Sequence, residues 1–454
     1  MSNFHLLWMQ SGTEYLEKGE KVIEIARQLS MTERERDYID AIGAFYDDWE
    51  KADRGVRLAA FEQRMSNNYR KYKDDKEAAI FYALTLIATA KPADKTYSNQ
   101  LKAGGILETV FADQPNHPGV AHYIIHTYDY PELAEKALPV ARRYASIAPA
   151  SAHAQHMPSH IFTRLGLWDE SILSNIQSTQ SASCYAQQLG KTGHWDEELH
   201  GMDYLVYAYL QKGDNLHAIE QLERLKSFKE VFPQNFKVAY TAAAIPARIA
   251  LENKDWKSAA SLELPLLELD WDEFPWQKSI LHFARAMGGI QIGDLESAGR
   301  ELSELESLHQ KLVAAQNEYM ANQVEIQIVT TKAWLLKAEG NDSDAISTMI
   351  IAADLESNTV KHPVTPGEVR PAGELLGDLY MESGNPEKAL ECYQKDLQIH
   401  PNRFNGIYGA AKASIEIGDQ EQATYYFRRL LELTKGNTER LEVEAANTYL
   451  NKIG

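Results

Sequence analysis

At 454 residues the chain is too long for one compact core, although a stack of repeats has no such limit. Apolar residues make up 44%, which argues against disorder, and 65 Asp and Glu against 46 Lys and Arg leave a formal charge of −19. That balance repels nucleic acid and anionic membrane, and two distant cysteines, Cys184 and Cys392, exclude a disulfide framework.

The opening, MSNFHLLWMQSG, lacks a basic stretch followed by an apolar core and a small-residue cleavage site. As it begins, the chain reads as cytoplasmic. The most apolar window, Ala78 to Ala90, is too short to span a bilayer and predicts a buried helix, with no membrane insertion.

Seven turn motifs then share one logic: LGLWDES (165–171), KGDNLHA (212–218), NKDWKSA (253–259), IGDLESA (292–298), EGNDSDA (339–345), SGNPEKA (383–389) and IGDQEQA (417–423). Most place Gly where one helix ends, because a helix C-cap commonly turns left-handed, and a small residue where the next helix meets it. Thirty-four residues separate Ala103 from Ala137, Ala137 from Ser171 and Ala389 from Ala423. Prolines follow twelve residues later at Pro115, Pro149 and Pro401. This is the tetratricopeptide period, and it predicts an all-α, helix-pair solenoid, a right-handed superhelix with a concave groove and no sheet. Elsewhere the spacing stretches, and KEVFPQNFK (229–237) and NTVKHPVTPGEVRP (358–371) read as soft boundaries, the second as an extended loop over a neighbouring repeat. The expected division is N-terminal repeats over 1–115, a histidine-rich block over 116–232 and C-terminal repeats over 233–454.

The histidine-rich block carries the chemistry. His122 and His126 are four apart, as are His156 and His160, so each pair shares a helix face. The two pairs are themselves displaced by thirty-four residues, on the first helix of adjacent repeats. In the next repeat the equivalent positions hold Asp203 and Tyr207, with His200 one turn earlier where the preceding repeat has His153. The expected metal ligands are His122, His126, His156, His160 and Asp203. The expected ligand-binding wall adds His153, His200, Tyr207, Arg164 and Asp129. Imidazoles with a carboxylate suit a divalent transition metal, zinc or iron, and an ion with an open position activates water or binds a substrate oxygen. Pro158, between His156 and His160, either kinks this helix or starts it; in the second case the shared face is lost.

The strings HPGVAHYIIHTYD, HAQHMPSHIFTRLGLWDESI, MDYLVYAYLQ, TPGEVRPAGELLG and PNRFNGIYGAA resemble a bacterial family of tetratricopeptide-repeat proteins, over nearly the full length. The resemblance implies fold and motif identity and brings no activity. It also implies a shortened N-terminus, with export if the true N-terminus is longer, and places His5 and Trp8 on the functional surface. Two readings stand at this point: a metal-binding groove, with or without enzymatic action on a small polar substrate, and a metal-free scaffold for a peptide or protein.

Overall fold

The computed structural model describes residues 12–30, 32–91, 94–265, 267–437 and 439–453. His5 and Trp8 lie outside the described residues. Contacts divide the chain into two compact units, Met1–Asp129 with Leu133–Ile147, and Tyr130–Glu132 with Ala148–Gly454. The expected histidine-rich block is therefore shared between them.

The first unit contains α1 (Thr13–Leu29), α2 (Glu33–Tyr46), α3 (Arg54–Lys71), α4 (Lys76–Ala88), α5 (Ser98–Asp113), α6 (Pro118–Thr127) and α7 (Ala134–Ile147). Helix α2 opens with a full capping box between Thr32 and Glu35. The apolar window forms α4, buried from Ala78 to Leu86 on nearly every side. Among the described residues no helix is long and apolar enough to cross a membrane.

The second unit begins with α8 (Ala152–His156), α9 (Pro158–Leu165), α10 (Trp168–Gln188), α11 (Asp196–Gln211), α12 (Asn215–Ser227), α13 (Phe236–Glu252), α14 (Trp256–Ala260), α15 (Pro275–Ile292) and α16 (Leu295–Ala314). It continues with α17 (Glu318–Ala338), α18 (Asp342–Ser357), α19 (Ala372–Glu382), α20 (Pro386–Ile399), α21 (Phe404–Glu416), α22 (Gln420–Leu433) and α23 (Leu441–Ile453). Each helix packs on the next, and the odd-numbered helices from α11 to α21 also pack on one another, which is the layering of a tetratricopeptide-type repeat. One departure from the all-helical expectation is a two-residue parallel bridge, His194 with Val231 and Trp195 with Phe232. It ties 229–237 to the start of α11 within this unit.

The turn motifs act as their composition dictates. Ser171, Ala218, Ala259, Ala298, Ala345, Ala389 and Ala423 are all fully buried, because a larger side chain there would hold paired helices apart. Asp214, Asp255, Asp294, Asn341, Asn385 and Asp419 cap the helices that follow, each accepting a backbone N–H three residues on. Where NKDWKSA lacks Gly, Lys254 takes the left-handed turn itself, at φ 53°. Tyr393 is wedged between α19 and α21: a Cβ at Gly377 or Gly409 would stand 2.6 or 2.5 Å from its ring.

The second unit also closes on itself. Trp168 donates to Asn402 O at 2.8 Å, Asn402 Nδ2 to Gly166 O at 3.1 Å, and Phe404 N to Gln211 Oε1 at 3.0 Å. Repeats far apart in sequence thus meet, and α11 is buried on both faces. The 358–371 segment lies over the neighbouring α17, where Tyr319 Oη donates to Val360 O at 3.1 Å, and extends further. It reaches back to α13, where Gly367 O accepts from Arg248 Nη2 at 2.8 Å and Leu251 O accepts from Arg370 Nη1 at 3.0 Å.

Candidate metal centre

Pro158 resolves both ways at once. It lacks the N–H that Ala154 O requires, so α8 ends at His156 and α9 starts with proline in its first turn. Met157 nevertheless keeps helical dihedrals (φ −51°, ψ −38°), and its N–H donates to His153 O at 3.0 Å. The face survives, and His156 Nε2 stands 3.1 Å from His160 Nε2.

His200, near the start of α11, completes the group. Its ring centroid is 4.1 Å from that of His156 and 6.5 Å from that of His160. One nitrogen of each of His156, His160 and His200 lies within 4.8 Å of the others. The three residues are 0%, 3% and 5% exposed. Burial holds His156 and His200 well below the usual imidazole range, and the charge of a neighbouring histidine lowers each further, so both are neutral at pH 7.

The tautomer of His156 follows from its partners. Asn175 Nδ2 donates to Ser171 O at 2.8 Å, and because a carbonyl only accepts, Asn175 must turn its oxygen to His156 Nδ1, 2.7 Å away. Nδ1 therefore carries the proton, and the Nε2 lone pair faces His160. Such an outer hydrogen bond orients histidine for a metal. Tyr204, one turn beyond His200, packs edge-on against His156 and His200, and its hydroxyl is 3.5 Å from His160 Nδ1.

A carboxylate stands on the same helix, one turn before His200. Glu197 Oε2 is at ion-pair distance, 3.6 Å, from His153 Nδ1. Its other oxygen is 2.5 Å from Lys237 Nζ. Burial acts to raise its pKa, but His153 and Lys237 hold Glu197 below the ordinary carboxylate range. The His153 side chain, 41% exposed, leads from there to solvent.

The remaining expected residues sort differently. Asp203 does not join the imidazoles: it forms a fully buried ion pair with Arg248. Tyr207 accepts from Arg403 Nη1 at 3.1 Å, within a buried network where Arg403 also pairs with Glu252 and Glu374. Arg164 lines a small cavity with Tyr207, Glu368 and His400. Equivalent positions of adjacent repeats point inward side by side, on axes about 8–10 Å apart, rather than at each other. Convergence with His156 requires a residue on the flank of α11, one turn away, and that is His200.

His122 and His126 belong to the first unit. They form their own pair on α6, with Nε2 atoms 2.9 Å apart and His122 stacked between Tyr123 and Tyr144. Asp129 is buried just past the end of α6. His117 caps that helix, accepting the Val120 N–H at 3.2 Å. Asn175, Tyr204 and Glu197 were not singled out by sequence. Glu197 and Tyr204 had a visible signal, lying three before and four after His200, whereas Asn175 had none.

Residues 374–403 match the tetratricopeptide repeat. No curated protein matches the chain. Among solved structures, the P58(IPK) tetratricopeptide-repeat domain is similar at 16% identity, covering 84% of this chain and 99% of that one, with a TM-score of 0.24. Yeast Tom70 is similar at 11% identity over 93% of this chain and 97% of that one, with a TM-score of 0.32. Human IFIT1, solved as a dimer with m7Gppp-AAAA, is similar at 11% identity over 94% and 96%, with a TM-score of 0.35. The helix order and the repeat match make the chain an all-α assembly of tetratricopeptide-type helix pairs, with a matched repeat at 374–403.

Proposed function

We propose that this tetratricopeptide-type scaffold holds a divalent transition metal on His156, His160 and His200. The observation that carries the reading is the convergence of three buried imidazoles with the His156 tautomer fixed. Metal–nitrogen bonds near 2.0–2.1 Å place tetrahedral ligand atoms roughly 3.3 Å apart. The 3.1 Å between His156 and His160 fits that spacing, and a modest rotation brings in His200. Neutral imidazoles need no deprotonation to bind, and three histidines with an open fourth position are the donor set of zinc enzymes that activate water. Zinc or iron suits the site. Glu197, kept ionised by His153 and Lys237, would orient a water held there by hydrogen bonding, with His153 leading from it to solvent. The substrate class consistent with so polar an approach is a small polar molecule.

The scaffold reading, in which the groove binds a peptide, is weaker for the second unit. Its inner face is filled by Arg248, Arg403, Glu252 and Glu374 and by the 358–371 segment.

Elemental analysis of protein purified without an affinity tag tests the proposal. About one metal per chain is expected, lost in His156→Ala/His160→Ala and kept in His122→Ala/His126→Ala. Metal-free protein of undiminished stability, unable to take up zinc, iron or cobalt, would overturn it.

A further inference from the structure

A second polar interior lies in the same unit, walled by α13, α15, α17 and the 358–371 segment. It encloses a cavity of about 40 Å³, room for roughly three waters or a group of three to four heavy atoms. Aromatic rings form its walls. The Trp276 centroid is 5.5 Å from Tyr240, 5.8 Å from Tyr319 and 5.5 Å from His362, at interplanar angles of 60°, 80° and 58°. Phe236 backs the His362 ring at 4.4 Å. Trp276, Tyr240, Tyr319 and His362 pack on one another, and all four line the cavity.

The charged groups around the cavity are matched, with one exception. Glu368 pairs with His400 at 3.0 Å. Arg370 pairs with Glu374 and Asp378, and Lys361 Nζ donates to His362 O and Thr365 O. His362 is neutral, its pKa pushed down to about 3 by burial and by Lys361. The exception is Glu356. Among the described residues it accepts one hydrogen bond, from Ala372 N–H at 2.6 Å, and has no cation within ion-pair distance. Beyond its hydrogen bond to the start of α19, a carboxyl among aromatic rings without a counter-charge costs stability.

We infer that this cavity binds the head of a small organic cation, an alkylammonium group, with Glu356 as its counter-charge and Trp276, Tyr240 and Tyr319 as its cage. Ammonium groups are attracted to the faces of such rings, most strongly when desolvated. Burial and the nearby Glu368 raise Glu356 well above the ordinary carboxylate range, and an ammonium beside it draws the proton off. Binding is therefore an exchange: the carboxylic acid loses its proton to buffer, and the ammonium takes its place beside the carboxylate.

The test uses the full chain with trimethylammonium and ethylammonium chloride as probes, against potassium chloride and sodium acetate. Calorimetry in two buffers of different ionisation enthalpy is expected to show saturable binding of both amines, with about one proton released per amine bound. Glu356→Gln, which removes the acid and keeps an acceptor for the Ala372 N–H, is expected to weaken binding at least about tenfold and abolish the proton release. Tyr319→Leu is expected to weaken binding while leaving the proton release in place. Absence of amine binding, undiminished binding by Glu356→Gln, or tighter binding of acetate than of either amine would each overturn the inference.

Discussion

Asn175→Leu is the most direct probe of the proposed metal centre, because Asn175 would act on a metal there only through His156. Asn175 is fully buried on α10, and leucine keeps its branched heavy-atom skeleton, in a bulkier form, while removing both of its hydrogen bonds. Two losses follow. The His156 Nδ1–H keeps no neighbour closer than Ser159 Oγ at 3.5 Å, and an unsatisfied buried donor costs about 1–3 kcal/mol. The proton then moves to Nε2, where it blocks the metal-facing lone pair. Outer-partner losses of this kind lower metal affinity about 10–100-fold, or about 1.4–2.7 kcal/mol. Asn175→Asp separates the two effects: it keeps an acceptor for Nδ1–H but gives up the bond to Ser171 O. Its stability is expected to fall by about 1 kcal/mol while its affinity stays at or above that of the parent. The assay is titration of metal-free protein with Zn²⁺ against a chromophoric chelator, with the Co²⁺ spectrum reporting coordination. Parent-like affinity in Asn175→Leu, or an equal fall in both variants, would refute the assigned tautomer.

Three other outcomes follow from the packing. Gly166 and Gly293 both take left-handed turns, at φ 64° and 80°, but a Cβ at Gly166 would collide with Pro401 O whereas nothing lies within 4 Å at Gly293. Gly293→Ala is expected to cost about 1–2 kcal/mol in urea unfolding, and Gly166→Ala about 2 kcal/mol more through the lost Asn402 and Trp168 hydrogen bonds; equal losses would deny the closure of the second unit. Arg248→Met leaves Asp203 buried and unpaired and is expected to cost about 3–5 kcal/mol, with Asp203→Asn restoring part of it; a loss under about 1 kcal/mol would speak against the pair. His400 faces Asp396 and Glu368, with Glu356 and Arg164 nearby, and its carboxylate partners raise it well above the usual imidazole range despite burial. Its stabilisation is therefore full below about pH 6.5 and is lost as pH rises through the folded value. Glu368, held low by His400 against the effect of burial, loses its stabilisation as pH falls below about 4.5. Thermal melts are expected to show a parent advantage over His400→Gln that is largest between about pH 4.5 and 6.5; a flat difference would count against the cluster.

Much of the architecture was legible because each feature depends on neighbours close in sequence. A Gly, an Asp cap and a small residue four positions after the cap specify a helix end, a helix start and a close approach, as at Gly293, Asp294 and Ala298. Likewise, four-residue spacing places two imidazoles on one helix face whatever the rest of the chain does. Both His pairs accordingly bring their Nε2 atoms to 2.9 and 3.1 Å.

Which imidazoles share a centre depended on tertiary structure. The division between units falls after Ile147, so the thirty-four-residue echo puts one pair in each unit. Asp203, equivalent to His156 by register, is taken by Arg248 from α13, and Tyr207 by Arg403 from the opposite end of the repeat run. Register fixes an angle about one helix axis; convergence on one point also needs the rotation and offset between axes. Those are set by packing partners such as Asn175, Arg248 and Arg403, whose contacts span 19, 45 and 196 residues and leave no periodic trace. The chain's sequence thus determined a stack of helix pairs carrying paired histidines, and long-range packing selected His156, His160 and His200 as the three that meet.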